Sequence, residues 1–460
     1  MASIAHSRDV LKRQWFHRNE FLTQYLRPDR LLEAVNAAKC THRVRLWPPM
    51  LTLWTFLVQV LHPGWSCRAA VAEVLAEHAA AGRPLEASAD PSAYCQARQR
   101  VPLSVYTQAL RTVGQTLQDK VGDAYRWCGR RVWIVDGSSC SMPDTPGLQK
   151  AFGQPDGQKE GCGFPVAKLV AMFCWASGAV REVAIGPYRS NELSLWRQLW
   201  DQLQPGDVVL GDRGYGAYAD LTQLASRRCD GVFRLRGARA RTLDFRKGKR
   251  LGKEDRLFVW SRPTVRPRTL SAEEYALLPA SVTVRVVRFH TQVKGYRSRT
   301  ILVVTTLLDP VAYPRDQIAA LYGDRWTVEL RLREVKTTLR MDVLRSQSPD
   351  TVRKEILMHF VAYNLIRALM WQAAQEHGRF LHRLSFAGTM EHFHAVAPYL
   401  CLFRHRSQAL VLYRLLLWWV ASDRLADRPH RVEPRAIKRR PKEYDLLNRP
   451  RIKMRKALLR

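Results

Sequence analysis

The chain has 460 residues, 46% hydrophobic and 25% charged, values ordinary for soluble folded proteins. That length and composition exclude a small disulfide-stapled scaffold and a collagen-like, coiled-coil or wholly disordered chain, and leave room for several domains. Lys and Arg number 74 against 41 Asp and Glu, a net charge of +33, and an excess of that size predicts a polyanionic partner, with nucleic acid ahead of an anionic membrane.

The amino terminus lacks the apolar core of a secretory signal. From about Arg8 to Gly122, apolar residues recur every three or four positions, as in LTLWTFLVQVL and VAEVLAEHAA. Breaks at His62-Pro63-Gly64 and Ala89-Asp90-Pro91 divide this stretch into predicted helices. Within it, SAYCQARQRVP carries Gln96, Arg98 and Arg100, which either contact DNA or form a solvated helix face. Near Arg131 the period changes. RRVWIVDGSS, KLVAMFCWAS and VREVAIGP read as strands, followed by a helix from Glu192 to Leu203, a strand in GDVVLGDRGYGAY, a helix from Ala217 to Ser226 and the strand GVFRLR. Clustered strands followed by strand-helix alternation predict a mixed α/β sheet. From about Gly237 the chain turns basic and β-rich, with SVTVRVVRFH and RTILVVTTLL as strands. Helices resume at Pro314 and continue to about Arg428, and the last thirty residues form a basic, proline-punctuated tail expected to be flexible and attracted to phosphate.

The nine cysteines are widely spaced and include no Cys-x-x-Cys pair, so neither a disulfide framework nor a zinc site is expected, and a reducing cytoplasm fits. His359, His392 and His394 lack a fixed carboxylate or thiol partner for a metal. The apolar runs after Met358 and from Ala409 to Ala421 fall short of the ~20 residues of a membrane span and read as buried helices.

Asp136 and Asp212 each follow an apolar strand, where open α/β sheets present functional groups. Singly, such an aspartate reads first as a turn former or helix cap. On neighbouring strands ~5 Å apart, two of them are close enough to share cations. Carboxylates that close raise one another's pKa unless a divalent metal neutralises them, and hard oxygen ligands suit Mg2+ or Mn2+. The segment LYGDRWTVELRLREVKTTLR adds a third element. On one continuous helix at ~100° per residue, Tyr322, Arg325, Glu329 and Lys336 share a ~60° sector. That face is either a surface ion-pair array or the third carboxylate of a two-metal phosphoryl-transfer site with cations beside it.

These residues carry a resemblance. Tyr322, Arg325, Glu329 and Lys336 match the Tyr-x2-Arg-x3-Glu-x6-Lys signature of the insertion-sequence-4 family of bacterial DDE transposases, and Trp326 follows the arginine as in several members. IVDGS around Asp136, GDRGY around Asp212, SCRAAV, SAYCQARQRVP and HFVAYNLIRALM extend the likeness from about residue 45 to the basic tail. The resemblance implies an α/β fold with a ribonuclease-H-like catalytic core interrupted by a β-rich insertion, flanked by helical N-terminal and C-terminal regions. Its expected divisions are a helical DNA-binding region (1–125), the first part of the core (126–236), the insertion (237–312), the core helix with the third carboxylate (313–345), a helical region (346–428) and the basic tail (429–460). It makes Asp136, Asp212 and Glu329 the catalytic metal-binding triad for two Mg2+ ions, with Mn2+ a substitute. Tyr322, Arg325 and Lys336 would contact DNA phosphates, and Trp326 either stacks on a displaced base or joins the core. The implied activity is cut-and-paste DNA transposition by hydrolysis and strand transfer at terminal inverted repeats, by a homodimer on paired ends in the bacterial cytoplasm and nucleoid, without a membrane. The rival readings are a metal-dependent nuclease on the same fold and a domesticated DNA-binding protein.

Overall fold

Hydrophobic periodicity and proline placement set the first helices. In the computed structural model, which describes residues 24–40, 47–80, 87–290, 300–400, 406–425 and 449–459, they are α1 (Pro28–Ala37), α2 (Pro49–Leu61), α3 (Cys67–Ala80), α4 (Ser92–Arg100) and α5 (Leu103–Val121). Proline opens α1 and α2, where its missing N–H costs nothing. Gly122, at φ 66°, ends α5. Next come β1 (Val132–Ser141), α6 (Pro146–Phe152), β2 (Val166–Cys174), β3 (Val180–Pro187), α7 (Glu192–Arg197), β4 (Val208–Gly211), α8 (Tyr218–Ser226) and β5 (Asp230–Arg234). The helix expected to reach Leu203 stops at Arg197, and a 3-10 turn, Trp200–Gln202, completes it. The tighter winding accompanies burial of Trp196, Leu199 and Trp200 beneath the sheet.

The basic, β-rich stretch contains α9 (Gly237–Thr242), β6 (Lys249–Gly252), β7 (Asp255–Ser261), α10 (Ala272–Ala276), β8 (Ser281–His290) and β9 (Thr300–Thr305). The chain then turns helical through α11 (Arg315–Asp324), α12 (Thr327–Arg333), α13 (Pro349–Glu376), α14 (Phe386–Leu400), α15 (Arg406–Ser422) and α16 (Arg451–Leu458). Residues 426–428 of the helical region and 429–448 and 460 of the basic tail lie outside the described residues. The part that is described forms α16 and docks: the Arg451 guanidinium donates to Asp144 at 2.7 Å, and its backbone N–H donates to the Gly161 carbonyl. No helix among the described residues is long and apolar enough to cross a membrane.

One nine-stranded sheet runs in the order β3-β2-β1-β4-β5-β9-β8-β7-β6. β2 runs antiparallel to both β1 and β3, β4 and β5 run parallel to β1, and β9 to β6 continue from β5 as an antiparallel meander. The β-rich stretch therefore extends the same sheet. Arg285, fully buried, ties that extension to the chain entering α11: it pairs with Asp255 and donates to the carbonyls of Leu307, Asp309 and Tyr313.

Side chains alternate across the sheet. Val132 and Ile134 of β1 join one hydrophobic cluster with Val208 and Leu210 of β4 and the helices α12 and α13. Trp133 and Val135 join the other, with Val209, Trp196 and Leu221. The first cluster also takes in Leu31, Leu53, Val71 and Leu110 of the early helices, so helical region and sheet share one core. The 28-residue α13 is the centre of that core. It anchors the β2–β3 hairpin by polar contacts: Asn364 exchanges two hydrogen bonds with Val180, Tyr363 donates to Gly178 O, and Arg367 donates twice to Ser177 O.

Gly114 marks the tightest approach of α5 to this hairpin, because a Cβ there would lie 2.6 Å from the Val180 carbonyl oxygen. Gly114→Ala gains helix propensity of about 1 kcal/mol but forces β3 outward. The variant is expected to be less stable by about 1–3 kcal/mol, read as a lower urea midpoint at unchanged slope; equal or greater stability would show that the contact is not limiting.

Candidate active site

The two aspartates owe their relation to sheet register. β1 and β4 pair in parallel from Val132↔Val208 to Val135↔Gly211, and there the pairing ends. Asp136 and Asp212 are the next residues, on the same face as Ile134 and Leu210. Asp136 does not follow its strand, as the sequence reading had it, but lies inside it. β2 keeps pairing with β1 as far as Ser141↔Val166, so the strand that ends at an aspartate is β4. From Asp136 onward the β4 side of β1 opens, until residues 342–344 close it through Ser141 N–H to Asp342 O and Leu344 N–H to Ser141 O.

α12, which carries Glu329, packs against β1 on this same face. The single helix expected from Leu321 to Arg340 is broken in two places. Between α11 and α12 the bonds shorten to i→i−3, from Arg325, Trp326, Val328 and Glu329 to Tyr322, Gly323, Arg325 and Trp326. After Arg333 the winding widens to a π segment, Glu334–Thr338. The expansion keeps Val335, Leu339 and Met341 in the core while delivering the chain to its pairing with Ser141. As a result Lys336 stands toward the far end of β1, where its charge is felt at the buried Cys140 thiol. Trp326 is 42% exposed at the junction and is not a core residue.

Arg325 lies within electrostatic reach of Tyr322, Glu329, Asp136 and Asp212 alike. Burial pushes the Asp136 carboxyl up to about 6; its bond from Gly137 N–H and the Arg325 charge pull it down, and Glu192 and Glu329 push it further up. Burial opposes the charge on Arg325, but Tyr322, Asp212 and Glu329 outweigh it and hold the guanidinium firmly protonated. Burial also pushes the Tyr322 phenol up to about 12, so it stays a neutral donor. Arg325 Nη2 donates to Glu329 Oε1 at 3.1 Å.

Among the described residues, no three His, Cys, Asp or Glu side chains already stand in ion-binding geometry. Glu329 instead faces Arg325. The donor chemistry nevertheless fits a divalent cation: burial and the negative charges of Glu192 and Glu329 oppose ionisation of Asp136, and a bound positive ion would remove that opposition.

Other candidate residues fall elsewhere. Arg98 is buried, its guanidinium 3.6 Å from the Phe56 ring centroid and bonded to Gln59, Cys67 and Ser346, so it is a packing residue; Gln96 and Arg100 are exposed. His394 bonds to Leu61 O and stacks on His62, while His392 lies against Trp419. Two residues not singled out in the sequence belong at the site. Glu192 opens α7 after the cap Asn191, where an acidic residue reads as an ordinary helix start, and Tyr215 ends GDRGY.

Carboxylates at the open end of a strand pair, with an arginine among them in a strongly basic chain, define a class: enzymes that transfer phosphoryl groups on nucleic acid. The match of the transposase DDE domain to residues 127–365 shows that the chain belongs to that family, and it is a DDE transposase. The chain is 27% identical over 362 residues to the transposase InsG for insertion sequence element IS4 of Escherichia coli K12, covering 77% of this chain and 78% of that protein. It is 28% identical over 143 residues to the putative transposase InsZ of the same organism, covering 30% and 47%. Among solved structures it is similar to the piggyBac transposase in a cryo-EM synaptic complex with hairpin DNA, at TM-score 0.44 and 8% identity over 87% of this chain and 85% of that one.

The folded pKa of Asp136, about 6, lies above the ~3.9 of an unfolded aspartate. Its contribution to stability is therefore complete below pH ~4 and is lost as pH rises through 6. In chelator, thermal melts are expected to show the protein less stable at pH 8 than at pH 5.5, with Asp136→Asn flattening the difference. An unchanged pH profile in that variant would assign the titration to another group.

Proposed function

We propose that this transposase works by cut-and-paste, cleaving duplex DNA at terminal inverted repeats and joining the freed 3′ ends to a target. The observation that carries the reading is the register that sets Asp136 and Asp212 side by side just past the last β1–β4 pair, with Glu329 on the helix above. The strand order β3-β2-β1-β4-β5, three antiparallel strands and then two parallel ones, supports a ribonuclease-H-like core over 126–236 and 313–345. On this reading 237–312 is the β-rich insertion, 1–125 and 346–428 are helical regions and 429–460 the basic tail.

Asp136, Asp212 and Glu329 would hold two Mg2+ ions, with Mn2+ as substitute. When bound, the ions supply activation of the attacking oxygen and charge stabilisation of the departing one in an in-line displacement. The protein's part is positioning. Asp136 is fixed within β1 and Asp212 directly follows β4, whereas Glu329 must leave Arg325 to join them. That exchange frees the Arg325 guanidinium for a DNA phosphate, beside the neutral Tyr322 phenol. Lys336 would hold a phosphate further along β1, and the exposed Trp326 would stack on a displaced base. Coordinated cutting of two ends calls for a homodimer on paired ends. The net charge supports sequence-independent duplex binding and association with the bacterial nucleoid.

Asp136→Asn, Asp212→Asn and Glu329→Gln are each expected to lower cleavage of a terminal-repeat duplex by about 10³-fold or more while leaving repeat binding in gel shifts within a few-fold. Full metal-dependent cleavage by any of them would remove that residue from the triad. Products that are cut but never joined to a target would favour the nuclease reading.

A further inference from the structure

Past Val135 and Gly211 no backbone ladder joins β1 to the chain that carries Asp212, yet the two remain linked on the opposite face of the sheet. The turn after Asp212 closes with Tyr215 N–H donating to Asp212 O at 3.1 Å. Tyr215 is buried, edge-on to Trp196, and its phenol donates to Glu192 Oε1 at 2.5 Å. That carboxylate lies directly over Gly137, the residue after Asp136: a Cβ at Gly137 would be 1.9 Å from Glu192 Oε1. Only glycine permits the approach. The Tyr215 ring also packs near Gly211, where a Cβ would lie 3.2 Å from it, a tighter contact than usual but no outright clash. The outer side of the turn is held by Arg236, which donates to the carbonyls of Arg213 and Gly214 at 3.3 and 2.8 Å.

We infer that Tyr215 and Glu192 form a latch that fixes the Asp212 turn against the Asp136 strand and thereby sets the affinity of the site for divalent ions. The inference rests on the reading of Asp136 and Asp212 as ion ligands. Two aspartates at adjacent register positions repel one another, and a turn free to move would relieve the repulsion by carrying Asp212 away. The latch prevents that from behind, without occupying the face where DNA and ions would enter. Glu192 and Tyr215 are therefore positioning residues, acting through Gly137 and the Asp212 turn. The need to keep a carboxylate over position 137 also gives a reason for glycine there that the turn propensity of Asp-Gly does not.

The test is Mn2+ binding to the full-length protein without DNA, read as free Mn2+ by electron paramagnetic resonance, for the wild type, Tyr215→Phe, Glu192→Ala, the double variant and Asp136→Asn. Tyr215→Phe, which removes one hydroxyl and no charge, is expected to weaken Mn2+ binding about tenfold, the scale of lost outer-shell partners. The double variant should bind no more weakly than the weaker single one, because both break the same contact. Cleavage lost at low Mn2+ should recover at saturating Mn2+, which a general loss of folding would not allow. If Tyr215→Phe does not fold, Glu192→Ala with its recovery at high Mn2+ carries the same test. Wild-type Mn2+ affinity in Tyr215→Phe, with binding abolished in Asp136→Asn, overturns the latch and leaves the aspartate reading intact. Undiminished binding in Asp136→Asn overturns the aspartate reading and the latch with it.

Discussion

Parallel pairing between β1 and β4 stops at Val135 and Gly211, while the antiparallel pairing of β1 with β2 continues to Ser141. This mismatch in length organises everything around it. It opens one edge of a central strand, and it does so at the residue pair where both chains carry an aspartate on the same face. The alternation of side chains then decides what surrounds them: α12 with Glu329 above, Tyr215 and Glu192 below. A slip of one residue between β1 and β4 would send one aspartate into the Trp196 cluster, so the hydrophobic pattern of these strands fixes the carboxylate geometry as firmly as it fixes the core.

The charge of the molecule divides differently from what its total implies. Several arginines are spent on the protein's own backbone. Arg285 satisfies three carbonyls, Arg331 those of Cys174 and Trp175, and Arg367 that of Ser177. These guanidiniums close strand and hairpin ends whose acceptors would otherwise be buried unpaired. Among the described residues, the exposed cations available to a polyanion include Arg241 of α9 and Lys249 and Arg250 of β6. Against this background the site is a local inversion, held in check by the Arg325–Glu329 pair.

Much of this was legible from the residues. Apolar runs ending in aspartate located β1 and β4, the change in period marked the passage from helices to sheet, and the insertion-sequence-4 resemblance agrees with the family to which the chain belongs. What could not be read depended on tertiary partners. The wheel drawn through Tyr322 and Lys336 assumed 100° per residue, whereas 3-10 and π windings, imposed by packing against β1, change the phase on both sides of Glu329. Arg98 has the composition of a DNA contact and the surroundings of a core residue, because Phe56 and Gln59 come from a helix some forty positions away. Glu192 lies 55 positions from Gly137, and only folding brings the carboxylate over the glycine.

The 28-residue α13 spans about 42 Å and touches the early helices, the β2–β3 hairpin and the later helices alike. Its burial on nearly every side removes the seam along which a protein is ordinarily divided into exchangeable modules. A foreign set of early helices could not simply be grafted in, since it would also have to fill the contours of α13.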